Sequence, residues 1–247
     1  MSVIAPVPRT LLQFYRSGPL PCPYLPGRIE RKLFTRLSGE MGEMNSTLSR
    51  AGFRRSHDIL YRPICGECSA CVPVRVPAAD FRGDRTQRRI LRRNADLRVA
   101  EEAAVATEEQ FALFHAYQAG RHGDSDMARM GFADYKGMVE EGRGDTLLLT
   151  VRDAERRLVA AMLVDRLADG YSAIYSFYDT AEPERSLGTF LILALIAGAQ
   201  TMRLPYVYLG YWVRGSRKMD YKARFRPLEA LTPQGWRPLP ETPADPG

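Results

Sequence analysis

From Thr107 to Gly210 the apolar positions change period several times, and each change marks an element. Thr107-Glu108-Glu109-Gln110 is a capping box, and it opens a helix whose Phe111, Phe114 and Tyr117 form a stripe on one side. A second helix is predicted over Phe132 to Glu141. Three β-rich runs follow: DTLLLTV from Asp145, RLVAAMLVDRL from Arg157 and YSAIYSFY from Tyr171. The turn signals Asp153-Ala154 and Asp169-Gly170 separate them, and these spacings predict an antiparallel meander. Ser186 is placed to cap the next helix, LGTFLILALIAGAQTM, which is apolar almost all round and therefore buried. Pro205 to Gly210 supplies a further strand.

Residues 1 to about 75 are rich in Pro, Gly, Arg and Cys and read as short strands and loops. The contrast predicts a boundary near residue 100, with a smaller Cys-containing, basic unit over 1–100 and a larger unit over 101–247. Two helices, a three-strand meander, a buried helix and a strand are the element order of an acyl-CoA N-acyltransferase (GNAT-like) domain. The class expected is therefore α+β, GNAT-like in its second part.

A chain of 247 residues, 45% hydrophobic, can bury a core without disulfides. No apolar run approaches 18 residues and the N-terminus lacks a charged segment followed by an apolar one, so a cytoplasmic protein with no membrane partner is expected. The net charge of +6 favours a polyanionic partner, with nucleic acid ahead of an anionic surface. Arg82, Arg85, Arg88, Arg89, Arg92 and Arg93 recur at spacings of three and four, which gathers most of them along one side of a helix. Asp84 is the only acid among them, and such a stripe suits a phosphate backbone.

The four cysteines are Cys22, Cys65, Cys68 and Cys71. The CGECSAC spacing lets two or three thiolates converge on one ion, and Cys22 completes an all-thiolate set for a structural zinc ion or an iron-sulfur cluster. Buried free thiols are the competing reading. Arg185-Ser186-Leu187-Gly188-Thr189-Phe190 stands where a coenzyme A enzyme carries its pyrophosphate loop, but bulky Phe190 occupies the last small position. His57, His115 and His122 are the only histidines, and no Ser or Cys sits in a G-x-S-x-G elbow, so covalent catalysis is not indicated.

Tyr208 to Pro227, YLGYWVRGSRKMDYKARFRP, interleaves cations with aromatic rings, a chemistry suited to an anionic polymer or an anionic end. Together with CPYLPGR (Cys22 to Arg28), GFRRSHDILYRPICGECSACVPVRV (Gly52 to Val76) and SFYDTAEPERSLGTFLI (Ser176 to Ile192), it resembles the bacterial aspartate/glutamate leucyltransferases. These are the prokaryotic branch of the arginyl-tRNA-protein transferase family, and the four blocks cover both halves of the chain in family order.

The resemblance implies a GNAT-like fold and transfer of leucine from leucyl-tRNA to the α-amine of proteins beginning with Asp or Glu. It also implies a part in N-degron (N-end rule) protein degradation. No residue announces a leucine pocket over an arginine one, so an arginyl donor is the near alternative. A CoA-dependent N-acetyltransferase and a non-catalytic tRNA-binding module are the alternatives of other classes. No cofactor is needed for the chemistry: an aminoacyl ester is already activated, and an α-amine with pKa about 7.7 to 8.0 is roughly a tenth neutral at pH 7. Positioning and donors to the developing oxyanion remain for the protein to supply. Tyr178, Asp179, Lys218 and Tyr221 are the candidates for that work, with Asp179 placed to hold or deprotonate the ammonium. Lys218, Lys222 or Arg224, or else Arg54 and Arg55, are the candidate partners of the acceptor carboxylate, and Arg88, Arg89, Arg92 and Arg93 of the tRNA.

Overall fold

A computed structural model of the chain describes residues 12–37, 42–121, 123, 125–142 and 145–240. His122 lies outside the described residues. In chain order the elements are β1 Tyr15–Arg16, β2 Leu20–Pro21, β3 Ile29–Glu30, β4 Lys32–Arg36, α1 Gly42–Arg50, β5 Arg54–Ser56, β6 Ile59–Pro63, β7 Cys71–Pro77, α2 Arg85–Arg93 and β8 Arg98–Ala103. Then come α3 Glu108–Arg121, α4 Phe132–Glu140, β9 Thr146–Arg152, β10 Leu158–Leu167, β11 Gly170–Tyr178, α5 Leu187–Thr201, β12 Tyr206–Val213, β13 Glu229–Thr232 and β14 Gly235–Pro238.

An eight-stranded sheet in the order β14-β13-β7-β12-β11-β10-β9-β8 organises the molecule. The expected meander is present as antiparallel β9, β10 and β11, extended by β8 on its outer edge. β8 was not expected: RVAEEA is mostly exposed along its length and carries no apolar alternation. Strands β11 and β12 are parallel and paired only from Gly170↔Tyr206 to Ser172↔Tyr208, so they diverge beyond Ser172.

One face of the sheet is covered by α5 and α2. Leu187, Phe190, Leu191, Leu195 and Ile196 of α5 pack on Val74, Val76, Val164 and Val207. The other face is covered by α3 and α4, where Phe114, Tyr117, Tyr135 and Met138 meet Leu148, Leu163 and Phe177. The Thr107–Gln110 box forms as expected, with each residue's backbone N–H donating to the other's side chain at 3.2 Å. Ser186 precedes α5, but its φ is +52° and its hydroxyl makes no capping bond, so that expectation fails. A left-handed non-glycine residue there carries of the order of 1 kcal/mol of strain.

A second sheet, β1-β4-β6-β5, and the short β2-β3 pair hold the N-terminal part. The boundary expected near residue 100 does not separate two sheets. β7, from the first part, pairs with β12 on one side and β13 on the other, inside the large sheet. Long-range pairing of this kind leaves no local mark. The two sheets are joined by Arg55, whose guanidinium holds Asp165 of β10 at 2.7 and 2.8 Å.

Candidate active site at the diverging strands

The divergence of β11 from β12 opens a wedge beside the start of α5, and the second residue of the Arg54-Arg55 pair is not in it. Successive strand residues face opposite ways. The Arg55 side chain, 1% exposed, turns to Asp165 and is structural, which removes it from the substrate-binding candidates. Arg54 turns into the wedge. Its Nη2 donates to the carbonyl of Ile174 on β11, and its Nη1 lies against Gly210 of β12. A Cβ at Gly210 would stand 1.9 Å from Nη1, and Gly210 has φ +73°, so only glycine admits the guanidinium here. Nη1 itself is buried with no hydrogen-bond partner among the described residues.

Beside Arg54 stand Lys222 and Tyr221, and Tyr178 is a neighbour of Tyr221. The short 3-10 turn Asp220–Arg224 buries Lys222, whose Nζ donates to the Tyr211 carbonyl at 2.7 Å and lies 5.8 Å from the Tyr221 ring centre. Burial first, then the Arg54 charge, pull the Lys222 amine well below the usual lysine range. Tyr221 is 41% exposed as a residue, yet burial of its hydroxyl raises its pKa, which Arg54 opposes and Tyr178 reinforces. Tyr178 packs 4.8 Å from the Tyr117 ring and accepts a hydrogen bond from Arg121 at 3.0 Å. A Cβ at Gly188, in the first turn of α5, would meet the Tyr178 ring at 2.8 Å.

Other candidates lie elsewhere. Asp179 accepts from the Ala181 N–H at 2.9 Å and pairs with Arg157 at 3.4 Å, as a turn aspartate does. It lines a cavity of about 300 Å³ at the start of α5 with Asp96, Asp153, Glu155 and Glu182, against only Arg157 and Arg185. Arg185 is held there by Asp96 at 3.1 Å and Glu182 at 2.8 Å. A surplus of carboxylates repels phosphate, so this is no pyrophosphate cradle, and buried Phe190 belongs to the core. The CoA reading loses its physical basis. Lys218 is exposed with no hydrogen bond or ion pair among the described residues, and Arg224 is exposed too.

Arg85, Arg88, Arg89, Arg92 and Arg93 lie exposed on α2, whose Asp84–Gln87 capping box forms at 2.8 and 2.9 Å. The helix bridges the two ends of the site. Gln87 donates to the Arg224 carbonyl at 3.0 Å, and Arg93 donates to the Glu184 carbonyl just before α5.

The four thiols are free and partly buried. Among the described residues no three Cys, His, Asp or Glu side chains stand close enough together to hold a metal ion. They are nevertheless electrostatic neighbours: burial, then Cys22, Cys65 and Cys68, push the Cys71 thiol up to about 11. Sequence reasoning missed Tyr24, Tyr61 and Tyr211 beside them. Burial pushes the Tyr24 hydroxyl up to about 12, and Tyr211 donates to the Gly52 and Tyr61 carbonyls at 2.8 and 3.1 Å.

Parallel strands that part beside a helix start define an acyltransferase-like fold. The C-terminal domain (DUF2156) assigned to a lysylphosphatidylglycerol synthetase of Agrobacterium fabrum shares it, at TM-score 0.50 and 13% identity, covering 67% of this chain and 61% of that one. The family models for the arginine-tRNA-protein transferase N terminus and C terminus match residues 20–89 and 109–232. Aspartate/glutamate leucyltransferase of Gluconacetobacter diazotrophicus is 54% identical over 94% of this chain and 90% of its own. That of Parvibaculum lavamentivorans is 55% identical over 92% and 95%. The chain belongs to the arginine-tRNA-protein transferase family and is similar along nearly its whole length to the aspartate/glutamate leucyltransferases. Among the described residues, no helix is long and apolar enough to cross a membrane.

Proposed function

We propose that this chain moves leucine from leucyl-tRNA to the α-amine of proteins that begin with Asp or Glu, and thereby marks them for N-degron degradation. The observation that carries this reading is the wedge itself: the Arg54 guanidinium, with no carboxylate partner among the described residues, and tyrosine hydroxyls beside it, together with a family likeness that spans the chain. The neutral acceptor amine attacks the leucyl carbonyl carbon. A C–N bond forms, the C–O bond to the terminal ribose breaks, and the amine's proton leaves while the ribose oxygen gains one. The Tyr221 hydroxyl, which burial holds in its protonated form, is a donor at neutral pH, able to serve the developing oxyanion. The helix α2, tied to the Arg224 carbonyl by Gln87 and to the Glu184 carbonyl by Arg93, carries exposed guanidiniums that supply a track for the acceptor arm of the tRNA.

The four cysteines are proposed as a structural metal or cluster site, supported by their soft donor set and their shared neighbourhood. No step of the transfer runs through it. The test of the main reading is to incubate purified protein with labelled leucyl-tRNA, arginyl-tRNA or acetyl-CoA and peptides differing only in the first residue. Label from leucyl-tRNA on Asp and Glu peptides is expected. Transfer from arginyl-tRNA or acetyl-CoA instead, or from none of them, overturns it.

A further inference from the structure

The most deeply set guanidiniums among the described residues each hold a carboxylate: Arg55 has Asp165 and Arg75 has Glu229, both at 2.7 Å. Arg54 and Lys222 have none among the described residues, although each is within electrostatic reach of the other. Their hydrogen bonds go to the neutral carbonyls of Ile174 and Tyr211, and Nη1 of Arg54 makes none. Glu30, the acid felt by Tyr24 and Cys71, is paired with Lys32 at 2.8 Å. A buried cation without an anion is costly unless something else brings the anion.

We propose that Arg54, wedged between the diverging β11 and β12 with Lys222 beside it, is the subsite that receives the side-chain carboxylate of the acceptor's N-terminal Asp or Glu. This rests on the transfer reading above. A carboxylate fits a guanidinium fork with charge-assisted bonds, whereas the isosteric amide of Asn or Gln carries no charge to offset the guanidinium. A site built for one partner in this way rejects the analogue that lacks its charge, because its own buried group is then left unpaired. Gly210 belongs to the same device: its missing side chain is the space the guanidinium occupies. Tyr221, 41% exposed, is the neighbour that reaches solvent.

The test uses the full chain with leucyl-tRNA and two peptides that differ only in Asp or Asn at the first position. The wild-type arm comes first: no transfer to the Asp peptide sinks the transfer reading itself, before any variant is considered. Arg54→Met is then expected to shrink the Asp to Asn ratio of kcat/KM by roughly 10 to 150-fold, the range set by losing one charge-assisted pair. The loss should fall mainly on KM for the Asp peptide, with leucyl-tRNA binding unchanged. If Arg54→Met does not give a cooperative thermal transition, Arg54→Lys carries the test. It keeps the charge but not the fork, and should reduce the ratio several-fold. A ratio within twofold of wild type in the folded variant overturns the proposal, because a purely structural Arg54 would depress both peptides alike.

Discussion

Replacing Asp165 by Asn strips the charge from the group that holds Arg55, and leaves the guanidinium where it was. The Asp165 carboxylate accepts from Arg55 Nε at 2.7 Å and Nη2 at 2.8 Å, from Thr146 at 2.8 Å and from Asn45 at 3.0 Å. Every one of these partners comes from another element, so the pair pins β5 and α1 of the N-terminal part to the large sheet. With side chains 1% and 3% exposed, neither partner of the ion pair can turn to water. Breaking a buried pair from one side costs about 3–5 kcal/mol, since an uncompensated charge stays behind. At about 2–4 °C per kcal/mol for a chain of this size, Asp165→Asn should lower Tm by about 6 to 20 °C. The double variant Arg55→Met with Asp165→Leu removes both charges and should regain most of that loss, because the costs of a coupled pair do not add. Calorimetry of the two singles and the double gives the coupling directly. A drop under about 1 kcal/mol for Asp165→Asn, or a double variant worse than both singles, would refute the assignment of Arg55 to structure.

Neutralising Arg88, Arg89 and Arg92 together should flatten the dependence of log K for tRNA on log salt by about two to three units, close to one per phosphate contact, as read by filter binding across a salt series. Gly188→Ala should cut kcat at least several-fold in steady-state assays, because its Cβ meets the Tyr178 ring at 2.8 Å and must displace it. The Cys71 thiol of metal-free protein, with its pKa near 11, should stay protonated at pH 8 and be alkylated by iodoacetamide slowly, faster only as pH rises toward 11. Protein purified anaerobically should carry about one zinc or one cluster per chain and lose thermal stability with Cys68→Ser; elemental analysis finding neither metal ends the metal proposal.

What the sequence made legible is what local chemistry dictates. The capping box at Thr107, the meander from Asp145 to Tyr178 and the buried helix after Ser186 all rest on spacings within one element and its neighbour. β7 was illegible as a central strand for a physical reason. CVPVRVP carries two prolines, which ordinarily bar a strand from a sheet interior. The structure admits them because β13 pairs only with Val74 and Arg75, so neither Pro73 nor Pro77 has to donate to it. No pattern inside seven residues contains that information.

The site was half legible in the same sense. Its residue types were visible, since the basic, tyrosine-rich segment after the last predicted strand does supply Tyr221 and Lys222. Its assembly was not, because Arg54 and Lys222 are 168 positions apart in sequence and meet only through two sheets. Two local signals did point the right way. Strand alternation at Arg54-Arg55 requires the two side chains to part, so the pair could never have served one ligand together. Gly210, set between Leu209 and Tyr211 in an otherwise apolar strand, signals a bulge or the close approach of something bulky. What approaches is the Arg54 guanidinium, and a glycine kept for an arginine that no carboxylate among the described residues satisfies is the mark of a place left for a substrate's own charge.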